Sequence, residues 1–213
     1  MIPVPRPKEP RTFDKDVRQP GQRWLASDAN PKTRPPSYWR KVTPQLCDAF
    51  STRCGYTAMW DLCGTVDHFA PQSRDRSNLY EWDNLRYASQ WINASKKAHV
   101  DILDPYDVEE GWFEVSLPSL QLVASDKVPP DKQALVQSTL KRLPITHDER
   151  VIRQRRAWLE QYEQGRVTLE GLYDFAPLLA AALEKQESGS GRKAPKKETV
   201  AKKKTVVKKK RHR

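Results

Sequence analysis

Gly64-Thr65-Val66-Asp67-His68-Phe69-Ala70-Pro71 is the stretch on which the reading of this chain turns. It is short, rich in β-branched residues and ends at a proline, which cannot donate to a ladder, so it reads as a strand running into a turn. Asp75 to Asn78 is polar and loop-like. Beyond it, Leu85, Ala88, Ile92 and Ser95 recur at helical spacing and predict a helix of about four turns from Asp83 to Ala98. Upstream, Leu46 and Phe50 stand four apart, which predicts a short helix between Tyr38 and Phe50.

Further from that centre the character of the chain changes. Nine of the 17 prolines fall within the first 44 residues, so the start of the chain reads as an arm without regular structure. Its Trp24, Tyr38 and Trp39 are too apolar for a solvated segment, and the arm is expected to wrap onto the domain. Downstream, Trp112 to Leu117 and Leu120 to Val123 flank Pro118-Ser119 as a hairpin or bent strand. Helices follow over Asp131 to Leu143, after a capping box at Thr146-His147-Asp148-Glu149, and from Thr168 to Leu183 with a bend at Pro177. The organisation is an arm over 1–40, a core over 41–100, a hairpin and helical extension over 101–187, and a tail over 188–213.

Charge separates that tail from the rest. Residues 188–213 hold 12 of the 38 Lys and Arg but one of the 27 acidic residues, which leaves 26 charges of each sign upstream. The net +11 therefore belongs to the tail, which reads as a disordered Lys-rich segment behind a Ser188-Gly189-Ser190-Gly191 linker. Arg192, Lys193, Lys196 and Lys197 lead its phosphate-binding cations, and a solubilising tail is the competing reading. No apolar run approaches the roughly 18 residues of a membrane helix, and no apolar core of a secretory signal follows Met1, so a cytoplasmic protein without a membrane partner is expected. Cys47, Cys54 and Cys63 form no CxxC pair and read as buried free thiols.

Four spaced elements share one further pattern: Cys54-Gly-Tyr-Thr57, then Val66-Asp67-His68-Phe69-Ala70-Pro71-Gln72-Ser73, then Trp82-Asp83-Asn84-Leu85, then Asn93-Ala94-Ser95-Lys96. Asn84 follows His68 by 16 residues and Asn93 follows Asn84 by nine. In order and distance this resembles the HNH endonuclease family, over about a fifth of the chain. The resemblance implies an α+β protein with a ββα-metal core, Asp67 and Asn93 as metal ligands, His68 as general base, and Asn84 holding the His68 loop. It places Lys96 and Lys97 near the phosphate backbone. Asn93 stands where the family also uses His, and an amide oxygen still ligates Mg²⁺.

These residue types suit that chemistry. Hydrolysing a phosphodiester takes a base for water and a hard cation for the charge on the phosphoryl and leaving oxygens. An oxygen-dominated site with few protein ligands suits Mg²⁺, with Mn²⁺ as a substitute. Adjacent residues of a strand face opposite ways, so Asp67 and His68 can share the work only if the chain twists or bulges between them.

Many HNH relatives carry two CxxC pairs around a structural zinc. Here those positions read Cys54-x-x-Thr57 and Ser89-x-x-Ile92, so no tetrahedral thiolate site and no structural zinc is expected. An aromatic cluster of Tyr56, Trp60, Tyr80, Trp82 and Trp91, with Ile92, is expected in its place. His99 and His147 read as surface residues, and the acidic run Asp101, Asp104, Asp107, Glu109 and Glu110 as a solvated face. Arg150, Arg153, Arg155 and Arg156 share one helix, either facing phosphates or neutralised by nearby acids. The expected activity is Mg²⁺-dependent cleavage of DNA, one strand per site, in a restriction or antiphage effector that can act with other defence subunits. The competing classes are a noncatalytic nucleic-acid-binding protein on a degenerate HNH scaffold and an RNA-cutting toxin. Oligomeric state is not legible.

Overall fold

A computed structural model describes residues 1–27 and 33–190. The order of elements mixes helices with two small antiparallel sheets, an α+β arrangement. Strand β1 (Thr65–His68) pairs with β2 (Leu85–Ala88), with Thr65 opposite Ala88 and His68 opposite Leu85. Two residues on, α3 (Gln90–Lys96) packs against β1. The hairpin lies between two apolar clusters, and the alternation of its side chains assigns them. Val66, Leu85 and Tyr87 join Phe13, Val17, Leu46, Leu79 and Tyr80 on one side. Ala88 joins Tyr56, Ile92, Ile102 and Trp112 on the other.

All four residues of β2 are buried, which corrects the expected Asp83–Ala98 helix. Leu85 and Ala88 keep helical spacing, but burial on both faces removes the alternation that would mark a strand. Trp82–Asn84 forms a single 3₁₀ turn, and the helix is confined to Gln90–Lys96.

The first 44 residues are also more regular than their prolines suggest. A π-helical turn over Asp14–Arg18 runs into α1 (Gln19–Ser27), and a 3₁₀ turn at Tyr38–Val42 leads into α2 (Thr43–Ala49). The π turn accommodates Pro20. Gln19 N–H bonds back to Asp14 O, a longer loop than the α-helical one, and this wider turn immediately precedes the residue that lacks a donor and crowds the preceding turn. Trp24, Tyr38 and Trp39 pack, half-buried, against the Leu46 cluster.

The second hairpin pairs β3 (Phe113–Ser116) with β4 (Gln121–Ala124). Helices α4 (Pro130–Arg142), α5 (Glu149–Glu163), α6 (Leu169–Phe175) and α7 (Pro177–Ser190) follow. The cap of α5 is Asp148, which accepts from Arg150 N at 3.0 Å, and not Thr146, whose hydroxyl donates to Leu140 O. Thr168 caps α6, and Pro177 divides the expected last helix in two. Helix α7 continues through Ser190, so Ser188 and Gly189 belong to a helix and not to a linker. Arg192, Lys193, Lys196 and Lys197 lie outside the described residues. Among the described residues no helix is long and apolar enough to cross a membrane.

Candidate functional site

The strand register runs unbroken from Thr65 to His68, so no bulge turns Asp67 and His68 to one face. Asp67 points towards α3 and His68 towards the N-terminal elements. His68 Nε2 stands 2.9 Å from Leu79 O, and the ring meets Trp39 edge-on with centroids 4.5 Å apart. A carbonyl only accepts, so Nε2 carries the proton and Nδ1 is left with the lone pair. Burial holds the imidazole pKa below its ordinary 6.5; the Asp67 carboxylate and the bond to Leu79 work against that shift, and the Lys96 charge adds to it. His68 is thus neutral at pH 7, with Nδ1 as its basic atom.

Asn84 ties down the chain that follows. Its Oδ1 accepts from Ala70 N at 2.7 Å, its Nδ2 donates to Ala70 O at 3.2 Å and Asn78 O at 3.0 Å, and its own carbonyl accepts from Phe69 N. Both ends of the loop between the strands are held by this one buried amide.

Asp67 is buried with both oxygens engaged: Tyr56 Oη donates to Oδ2 at 2.6 Å and Lys96 Nζ donates to Oδ1 at 3.0 Å. Burial, and secondly the Asp67 charge, push the Tyr56 phenol well above its usual range, so it stays a donor. Lys96, expected near the phosphate backbone, is turned inward and not presented at the surface. Its ammonium is buried and also donates to His68 O at 2.7 Å and Phe69 O at 3.0 Å, which uses all three of its N–H bonds. Lys97 beside it is exposed. Asn93 stands one turn before Lys96 on α3, half-exposed, with Nδ2 on Val66 O at 3.1 Å. Its Oδ1 accepts no hydrogen bond among the described residues.

Opposite Asp67 in the register is Arg86, also buried. It forms a two-pronged pair with Asp104, at 2.7 and 2.5 Å, and lies 3.7 Å from the Tyr106 ring centroid. Sequence reasoning missed this pair. Asp104 was expected on a solvated face, yet it is 7% exposed. The signal lay in register: once Leu85–Ala88 is a strand, Arg86 must share the face of Asp67 and needs a partner.

Other expectations change as well. Cys54, Thr57, Ser89 and Ile92, the four positions of the missing thiolate pairs, are all buried. The six flanking residues form no single cluster: Tyr56, Trp91 and Ile92 pack on the α3 side, Tyr80 and Trp82 on the other, and Trp60 meets Phe175 edge-on. Cys63 is exposed and Cys47 half-buried. Arg155 is buried and donates to Leu120 O and Ile145 O, while Arg150 and Arg153 pair with Asp148 and Glu149.

Among the described residues no three His, Cys, Asp or Glu side chains cluster as a metal site. The oxygen donors expected for a cation are the Asp67 carboxylate, which faces α3 with both oxygens engaged, and the Asn93 amide oxygen, a hard and sparse set of the kind that suits a cation keeping most of its waters. A cleft of about 520 Å³ lies between β3 and α7 and is lined by none of these residues. The chain matches no known family model and none of the curated proteins with which it was compared.

Proposed function

We propose that the chain is a Mg²⁺-dependent endonuclease of the ββα-metal type that hydrolyses DNA one strand at a time. The observation that carries this reading is the state of His68: neutral, fixed through Nε2 to Leu79 O, with Nδ1 left to take a proton. Every neutral histidine divides its nitrogens in this way; what supports the reading is that Nε2 is spent on a backbone carbonyl while Nδ1 has no hydrogen-bond partner among the described residues. Here His68 ends the first strand of a hairpin whose loop is tied by Asn84 and whose following helix supplies Asn93.

In this reading Nδ1 of His68 takes the proton of the attacking water, and Trp39 fixes the plane of the ring. Asn93 would hold the cation together with Asp67, whose carboxylate faces α3 and would have to turn towards the His68 side to do so, and the ion would neutralise charge on the phosphoryl oxygens. Asn84 keeps the loop, and with it His68, in place. Lys97 and the cations of residues 191–213 attract the phosphate backbone. Restriction or antiphage defence is the setting that the resemblance suggests.

One observation favours the noncatalytic alternative: Lys96 already neutralises Asp67, as it would in a scaffold that had lost its metal. Incubating the protein with supercoiled plasmid, linear duplex and RNA, in Mg²⁺ or EDTA, separates the readings. Nicked plasmid is expected in Mg²⁺ and not in EDTA. His68→Ala should cut at least about a hundredfold more slowly while folding and binding DNA normally. Preferred cleavage of RNA would assign the toxin reading, and no cleavage of any substrate would leave the scaffold.

A further inference from the structure

The ammonium of Lys96 sits where three oxygens converge: Asp67 Oδ1 at 3.0 Å, His68 O at 2.7 Å and Phe69 O at 3.0 Å. One carboxylate and two carbonyls around a cation make a hard-cation nest, and here the chain's own side chain fills it. The helix dictates this arrangement. Lys96 follows Asn93 by three residues on α3, so both lie on the face turned to β1, and their polar ends reach successive parts of that strand.

We infer that Lys96 is a built-in counter-cation for Asp67, so that a divalent ion gains this carboxylate only by sharing or displacing the lysine, and the site loads its metal together with an anionic phosphate. The inference rests on Asp67 being a metal ligand, as proposed above. Charge gives the reason. Asp67 and Lys96 sum to zero, so a divalent ion entering alone leaves two uncompensated positive charges in a buried setting, a costly state. A substrate phosphate supplies the missing negative charge. Metal and nucleic acid should therefore each strengthen the binding of the other, by the same factor.

Lys96 would accordingly act as a positioning and gating residue. It keeps Asp67 buried and folded in the absence of metal, and it prevents the site from holding a reactive ion without substrate. Its carbonyl contacts add a second effect, because they fix the backbone of His68 and Phe69.

The test is Mn²⁺ binding, followed by its electron paramagnetic resonance signal and by melting temperature, without any readout of cleavage. Lys96→Met keeps the length of the side chain and removes the charge, leaving Asp67 unneutralised. The free variant should bind Mn²⁺ more than about tenfold tighter than the wild type, and Mn²⁺ should raise its melting temperature by more than it raises that of the wild type. In a second arm, His68→Ala protein, which keeps the Asp67–Lys96 pair, should bind Mn²⁺ tighter by a similar factor once a short duplex is added. Lys96→Met that binds Mn²⁺ no tighter than wild type would overturn the inference. If Lys96→Met does not fold even with Mn²⁺, the duplex arm decides, and affinity unchanged by duplex overturns it. Asp67→Asn separates this from the underlying proposal: if Mn²⁺ binding survives that change, Asp67 is not a ligand and the metal site itself is misassigned.

Discussion

His68 can accept a proton only at Nδ1, because Nε2 is committed to Leu79 O. That restriction has a measurable consequence at the scale of one residue. The folded protein holds the imidazole pKa below 6.5, mainly through burial, so the neutral base persists further into acid than a free histidine would. The acid limb of a plot of log kcat/KM against pH should therefore bend below pH 6.5. Stability follows the same sign. As pH falls, the unfolded chain takes up this proton first, so stability declines from about pH 6.5 down to the folded pKa and levels off below it. An acid limb above pH 6.5 would mean that another group, or a raised His68 pKa, governs the rate. The identity and spacing of His68, Asn84 and Asn93 stand in the sequence, but the tautomer does not. It depends on Leu79 O, a backbone atom whose approach is set by how the intervening loop folds.

At the scale of elements, α1 shows how closely the arm is fitted to the hairpin side. Gly21 has no side chain because none fits: a Cβ there would lie 2.1 Å from Cγ of Tyr80, well inside contact distance. In an exposed helix Gly→Ala stabilises by about 1 kcal/mol. Here the sign should reverse, with Gly21→Ala destabilising by about 1–3 kcal/mol in denaturant titrations, since the Tyr80 ring or the whole of α1 must move. Tyr80 lies against Trp39, and Trp39 against His68, so the variant should lose activity as well as stability. A stabilised Gly21→Ala would show that α1 does not press on Tyr80. Elements were legible in proportion to how local their causes are. The hairpin at Phe113–Ala124, the α4 stop before Pro144 and the Thr168 cap follow from residues within a few positions. Strand β2 was not legible from spacing, because β1 and both clusters bury all its faces. Nor was α1, since the π turn that accommodates Pro20 has no composition of its own. Asp104 was read as solvated because its partner, Arg86, is 18 positions away and joins it only through the fold.

For the whole molecule the deciding quantity is where charge resides. Residues 1–190 carry 26 charges of each sign and residues 191–213 carry a net +11, so the described body has no excess with which to attract a polyanion. Much of its basic complement is already spent: Arg18 pairs with Glu9, Asp14 and Glu81, Arg86 with Asp104, and Arg142 with Asp101. Affinity for DNA should therefore depend on the last 23 residues, while chemistry depends on the hairpin and α3. Because α7 runs through Ser190, the informative truncation removes residues 191–213 and leaves the helix whole. For duplex DNA the logarithm of affinity falls with the logarithm of salt by about 0.9 per phosphate neutralised, so loss of four to six engaged cations should flatten that slope by roughly four to five. Melting temperature should stay the same, and cleavage at saturating substrate should persist, since His68, Asn84, Asp67 and Asn93 are held by Leu79, Ala70, Asn78, Tyr56, Lys96 and Val66, all of which the truncation keeps. A slope that does not change would assign the tail to solubility or to a protein partner. Normal binding with no cleavage would instead mean that the tail reaches the site, and the separation of affinity from chemistry along this chain would then fail.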